Sequence, residues 1–305
     1  MEMVGLLAER IAIMFGFMAI GWVLFKTKWL TEQGAKDLSQ ILLRLVVPAI
    51  ILQSFQVERT PEHIRAFLLS FLLSLAAIVL SALIARIVFK AKRVVDQFGT
   101  AFANAGFFGI PLVSALLGDS AVFYIASFVM MIFVFQWTYG VHLYTKDKTI
   151  FSPKKILTNP VLVAFVIAVA LFLSGIALPR VITSPLELIT PLNTPIAMFV
   201  IGSYLARSRF ADLFKDRSAY LVAALRLIVI PVFTIGLLSL LPASMNEVRF
   251  AILIPASAPV GVNVAIFAGL LNQDYSKAVR IVCLSTLLSI LTMPLIVMLA
   301  NVLWS

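Results

Sequence analysis

The chain alternates long apolar runs with short polar joints. Runs of about 17 to 25 residues, the length that spans a bilayer, fall near residues 4–25, 38–55, 64–89, 98–117, 121–145, 160–178, 186–206, 218–241, 248–271 and 277–304. This pattern predicts an all-α membrane protein with ten transmembrane helices. The first run has neither a basic leader nor a small-residue cleavage site, so it reads as a retained helix rather than a removed signal peptide. Two runs are interrupted, at Asn104-Ala105-Gly106-Phe107-Phe108-Gly109-Ile110-Pro111 and at Pro255-Ala256-Ser257-Ala258-Pro259-Val260-Gly261-Val262-Asn263. Lipid cannot hydrogen-bond the backbone groups that such a break releases, so both breaks must face protein or a water-filled cavity. Paired breaks at corresponding places in two chain halves point to the binding site of a transporter.

Composition agrees. The 305 residues are 62% hydrophobic and 12% charged, with mean hydropathy +1.06, more apolar than one soluble core can hide. The net charge of +10 is sorted by loop. One set of loops carries Lys26, Lys28, Lys36, Lys90, Lys92, Arg93, Lys146, Lys148, Lys154, Lys155, Arg207, Arg209, Lys215, Arg217, Lys277 and Arg280, and the opposite set only Arg59, Arg65, Arg180 and Arg249. The positive-inside rule makes the rich side cytoplasmic, with both termini outside the cytoplasmic (inner) membrane. Basic residues scattered over short loops do not form the continuous face that nucleic acid requires. Cys283 is the only cysteine, which excludes an intrachain disulfide and a cysteine-based metal site. His63 and His142 fall on opposite sides of this topology and cannot share a metal. The H-E-x-x-H, G-x-S-x-G and phosphate-loop motifs are absent, so the chain reads as neither an enzyme nor an ATP-driven pump, and it calls for no cofactor.

The polar segment 146–159 divides the helices into residues 1–145 and 160–305, five each. An odd number per half sends the second half into the membrane in the opposite sense, giving inverted repeats. At a shift of roughly 150 residues, in keeping with such repeats, Gly21-Trp22-Val23-Leu24 falls on Gly175-Ile176-Ala177-Leu178. Pro48-Ala49-Ile50-Ile51 then falls on Pro195-Ile196-Ala197-Met198, and Gly109-Ile110-Pro111 on Gly261-Val262-Asn263.

Pro111 removes a backbone donor while Gly106 and Gly109 permit unusual backbone angles, so helix four should become two half-helices, the second beginning near Pro111. Helix nine repeats the pattern with Pro255, Pro259 and Gly261. If the broken helices cross, their N-terminal half-turns converge near the bilayer centre and favour an anion. Asn104 and Asn263 add amides that donate to a carboxylate without burying a full charge, and Ser257 adds a hydroxyl. The expected binding set is Asn104, Gly109, Ile110, Pro111, Ser257, Pro259, Gly261 and Asn263, with Gly106 and Pro255 as helix breakers. Arg44 and Arg226 lie deeper than other charges; either attracts an anion into a vestibule, or it reaches headgroups or caps a helix end. Gln136 either lines the pathway or makes an interhelical hydrogen bond. No Asp or Glu falls near the middle of a proposed helix, which weighs against carboxylate-based cation coupling, while sodium held by carbonyls of unwound segments stays open.

Asn104 followed by Gly109-Ile110-Pro111, Asn159-Pro160 at the start of helix six, Pro195 with Gly202, and Pro259-x-Gly261 followed by Pro294 are similar to the motifs of the auxin efflux carrier family. That family includes plant PIN-type carriers and bacterial organic-acid permeases, and the resemblance covers nearly the whole chain. It implies a bile-acid-transporter-like fold in which helices one, two, six and seven form a scaffold, commonly a homodimer interface, and helices three to five and eight to ten move. It also implies that Asn104 contacts a substrate carboxylate and that Pro111 and Pro259 mark the crossing. Asn263 stands where plant members have a second proline, and residues 146–159 replace their long hydrophilic loop. The reading is a secondary transporter of small organic anions, mono- or dicarboxylates, working by alternating access, with the coupling ion open. The competing readings are a cation-coupled exporter of neutral or cationic compounds and a membrane ligand sensor that does not transport.

Overall fold

A computed structural model describes residues 2–90, 93–145, 157–208 and 213–304, and among them the regular structure is helical apart from one isolated bridge. Most of the expected linker, residues 146–156, lies outside the described residues, as do Lys92 and Arg209. The helices are α1 (Glu2–Lys26), α2 (Glu32–Ile41), α3 (Val47–Ser54), α4 (Pro61–Phe89), α5 (Val94–Ala101), α6 (Ile110–Leu117), α7 (Val122–Phe135) and α8 (Val141–Tyr144). They continue with α9 (Pro160–Ser174), α10 (Arg180–Ile189), α11 (Asn193–Arg207), α12 (Arg217–Ala224), α13 (Ile230–Leu238), α14 (Asn246–Ala256), α15 (Asn263–Leu270) and α16 (Tyr275–Trp304). Joined through their connecting turns, six segments among the described residues are long and apolar enough to cross a membrane: Gly5–Lys26, Pro61–Phe89, Asp119–Tyr144, Arg180–Arg207, Arg217–Leu238 and Tyr275–Trp304.

Helix starts are written locally. Thr31, Thr60, Asn159 and Asp216 accept from Gly34 N, His63 N, Val161 N and Ser218 N at 3.0, 3.1, 2.9 and 2.9 Å, satisfying amides that a helix start leaves free. Pro61 and Pro160 follow their caps at the first helical position, where the missing N–H costs nothing.

Interior prolines are absorbed rather than obeyed. Widened π turns occupy Leu42–Val46, Ala105–Gly109 and Leu225–Val229, each ending two residues before a proline: Pro48, Pro111 and Pro231. A proline ring clashes with the carbonyl four residues back, and that residue, Arg44, Phe107 or Leu227, is the centre of each π turn. Widening the turn moves the offending carbonyl aside and passes its bond one residue along, so the helix continues. A fourth π turn, Gln136–Gly140, has no proline; there Gly140 lies so near the Phe98 ring that an added Cβ would stand 2.5 Å from Cε2.

Small residues set the closest helix approach. α1 lies along α11, and a Cβ on Gly21 would meet Phe199 Cα at 2.5 Å, while one on Gly202 would run into the Met18 carbonyl and the Trp22 amide. α3 packs on α9 and α10, with Phe55 at the centre of edge-on rings: Phe123 at 4.7 Å, Phe67 at 5.6 Å and Phe165 at 5.7 Å. Gly21 and Gly175, aligned by sequence, do different jobs, since Gly175 closes α9 at φ +70°.

Side chains at the helix ends sort into two groups. At the end rich in basic residues, Glu32 pairs with Arg207 at 3.3 Å, Asp216 with Arg280 at 3.4 Å, and buried Asp96 with Lys277 at 2.6 Å and Arg93 at 2.9 Å. At the other end, Leu178 N donates to Gln56 Oε1 at 2.8 Å and Trp304 Nε1 to Ser239 Oγ at 2.9 Å.

Because no flexible side chain can yield at Gly202, Gly202→Ala should lower stability in detergent by about 1–3 kcal/mol. Gly236→Ala, with open space around its Cβ, should cause no loss. Thermal unfolding of the two variants beside the parent protein checks this; equal midpoints would remove the close α1–α11 crossing from the account.

Candidate functional site

The two interrupted segments meet. Between α5 and α6 the chain is extended at Phe102–Asn104, and between α14 and α15 at Ser257–Val262 it unwinds. They pair in antiparallel fashion at Ala103 and Val260. Asn104 N donates to Pro259 O at 2.7 Å and Gly261 N to Phe102 O at 3.1 Å, while Val260 N donates to Ser285 Oγ at 3.1 Å. The backbones approach so closely that a Cβ on Gly261 would stand 3.1 Å from Ala103 O. The two reciprocal bonds exchange Asn104 with Gly261 and Phe102 with Pro259.

The break in helix four falls ahead of the residues expected to cause it. Gly106 lies within the π turn and Pro111 is the second residue of α6, so the second half-helix begins at Ala105 rather than near Pro111. Pro255 is the penultimate residue of α14, just ahead of the stretch that unwinds from Ser257. The π turn explains the displacement in helix four. Near the end of α14, Pro255 forms a wall for Gly109, whose Cβ would meet Pro255 Cα at 3.1 Å.

The crossing has two chemically opposite sides. On one, the half-helices beginning at Ala105 and Asn263 present their N-termini. Helix geometry leaves the Ala105, Gly106 and Phe107 amides without a carbonyl one turn back, and all three residues line a cavity of about 20 Å³ with Asn104, Gly261, Val262 and Asn263. That volume holds about one water molecule. Asn104 is buried and its Nδ2 has no partner. Asn263 Nδ2 donates to Gln136 Oε1 at 2.9 Å, and Gln136 Nε2 is left unpaired. Gln136 thus makes the interhelical bond, and it lines neither this cavity nor the larger one below.

On the other side, α5 and α14 present their C-termini. Arg226, fully buried in the π turn between α12 and α13, donates from Nη1 to Thr100 O at 3.2 Å and from Nη2 to Ala256 O. It caps both helix ends, the second of its two sequence readings. Ser257, expected among the binding residues, lies on this stretch beside Ala256 with its hydroxyl buried and unpaired. Arg44 is exposed on the bundle surface and lines neither cavity, so it takes no part in the crossing.

A cavity of about 710 Å³ reaches Ile110 and Pro111 from the end opposite the basic loops, past exposed Gly118, Asp119 and Ser120 and past Gln53, Ser54, Thr190 and Thr194. Asn193, which sequence reasoning missed, lines its floor: buried at the start of α11, it donates from Nδ2 to Gly106 O at 3.3 Å. This bond stands between the wide cavity and the small one, and Asn193 Oδ1 has no partner. The only signal was a polar residue two positions after Pro191 within an apolar run. Toward the basic end the space is filled by rings: Phe98 stacks on Tyr144 at 4.8 Å and meets Phe102 at 4.7 Å and Phe267 at 5.4 Å.

Leaving one partner of the Gln136–Asn263 bond unpaired costs more than removing both. Gln136→Leu should therefore lose about 1–3 kcal/mol, and Gln136→Leu with Asn263→Leu should lose less than the sum of the single variants. A double-mutant cycle on thermal unfolding measures this; strict additivity would show that the bond does not form.

Residues 6–150 and 145–297 match the family described as membrane transport protein. No individual curated protein matches the chain. The family match spans most of the sequence and both halves of the crossing. The chain therefore belongs to the membrane transport protein family, the auxin efflux carrier or PIN-like family that its Asn104 and Gly109-Ile110-Pro111 motif resembles, and it is a multi-pass membrane transporter rather than an enzyme.

Proposed function

We propose that the protein is a secondary carrier of small organic anions, mono- or dicarboxylates, that works by alternating access around the crossing. In this reading ten transmembrane helices form two inverted repeats, residues 1–145 and 160–305, in the cytoplasmic membrane, with both termini outside and a homodimer built on the scaffold. The two family matches, residues 6–150 and 145–297, meet near the proposed linker, which supports a chain built of two halves.

The observation that carries the substrate class is the unpaired Asn104 amide. A buried donor without an acceptor costs about 1–3 kcal/mol, and here it sits with three free helix amides and a converging pair of helix N-termini. On that side of the crossing the Asn104 Nδ2 donor has no acceptor, and the first amides of the half-helix from Ala105 have no carbonyl one turn back. A carboxylate supplies the missing acceptors and the negative charge that helix N-termini favour. The small cavity is too tight for such a ligand in the present arrangement. The wide cavity is the approach, and breaking the Asn193–Gly106 bond opens its floor onto Asn104.

Uptake of radiolabelled mono- and dicarboxylates into proteoliposomes tests this. Saturable uptake is expected, and Asn104→Ala should reduce it about 10- to 100-fold, the worth of one hydrogen bond to a charged group. Unchanged flux in Asn104→Ala would remove the site, and a preference for amines or neutral metabolites would remove the anion class.

A further inference from the structure

Arg226 presents a charge problem that the anion site does not solve. Its side chain is fully buried, yet among the described residues no carboxylate pairs with it. Its counter-charge is backbone: the Thr100 carbonyl, next to last in α5, and the Ala256 carbonyl, last in α14. Each helix C-terminus carries roughly −0.5 of an elementary charge. Two of them together balance one guanidinium.

The same place is furnished with further oxygen. Thr100 Oγ1 and Ser257 Oγ are buried without partners, the first on the residue whose carbonyl Arg226 holds and the second beside Ala256. Backbone carbonyls at the C-terminal ends of discontinuous helices are the groups that coordinate sodium in carriers that have them, and here two of them hold the guanidinium of Arg226. In this chain a covalently tethered cation is already there.

We infer that Arg226 is a resident cation: it fills the cation slot between the C-termini of α5 and α14, so the crossing holds together without a bound sodium ion and the cycle does not use one. Arg226 is then a positioning residue. It fixes the two C-terminal halves, and through the Ala103–Val260 pairing it sets where the opposite N-termini lie. The consequence for coupling rests on the carrier reading, whereas the cation slot does not.

Removing the guanidinium should leave a slot that free cations re-enter, a response that lost packing alone does not produce. Thermal unfolding of the purified full-length protein would be compared in choline, sodium and guanidinium chloride, the last at tens of millimolar, all at equal ionic strength. The parent protein should unfold at the same temperature in choline and sodium. Arg226→Ala should unfold earlier in choline and be restored by sodium or guanidinium by roughly 2–4 °C or more. A parent protein whose stability or carboxylate uptake requires sodium overturns the inference, as does a folded Arg226→Ala indifferent to both cations. If Arg226→Ala folds in none of the three salts, Arg226→Lys gives the answer: a folded, sodium-independent protein supports the slot, and an unfolded or sodium-dependent one overturns it. Failure to transport any carboxylate would sink the carrier reading and leave the salt response of Arg226→Ala to judge the slot separately.

Discussion

Peptide groups released in mid-bundle by two interrupted helices have to be bonded by the protein itself, because a hydrocarbon surround offers neither donors nor acceptors. Here the requirement is met by a pairing two bonds long, Asn104 N to Pro259 O and Gly261 N to Phe102 O, with Ser285 Oγ taking the Val260 amide. Each such bond adds only about 0.5–1.5 kcal/mol net, but leaving its partners unmade in a buried place costs about 1–3 kcal/mol per group. Neither interruption is therefore tolerable alone. Loss of one strand would orphan groups on the other, so the halves of the chain are obliged to meet at this point. Gly261 is required for the same reason, since a side chain there would force the strands apart.

That obligation also explains the π turns. Each of Pro48, Pro111 and Pro231 follows a widened turn that lets its helix run on, which confines true interruption to the two stretches that can pair. A break at Pro111 itself would lie a turn and a half beyond the reach of Pro259 and Gly261 and would leave its carbonyls unbonded. Pro185 and Pro294 are carried inside their helices without such a turn, so widening is one response to an interior proline and not the general one.

The hydrophobic pattern marked the helical stretches, because burial in lipid or in a helical core demands long apolar runs whatever their neighbours are, but it missed the more polar helix starts at Glu32 and Arg180. It also located the interruptions, since Gly, Pro and Asn collect there. It misplaced the first edge at Pro111, because whether that proline interrupts depends on whether the turn before it can widen, as it does at Ala105–Gly109. Arg226 was visible as a deep charge, yet its role rests on carbonyls 126 and 30 residues away that no local pattern announces. Asn193 was invisible for a related reason: its partner, the Gly106 carbonyl, is a backbone atom without a residue signature.

The crossing is electrostatically lopsided, and the lopsidedness follows from how each pair of helix ends is answered. The C-termini of α5 and α14 are met by the guanidinium of Arg226, which bonds a carbonyl of each. The opposing N-termini meet no charged group in the small cavity: Asn104 Nδ2 is left unpaired, while Asn263 Nδ2 is bonded to Gln136. In the proposed cycle this leaves the positive side as the one to be answered by something that arrives and departs, which is what a carrier needs of its substrate site. A fixed anion there would have been as stable as Arg226 is on the other side, and would have left nothing for a substrate to do.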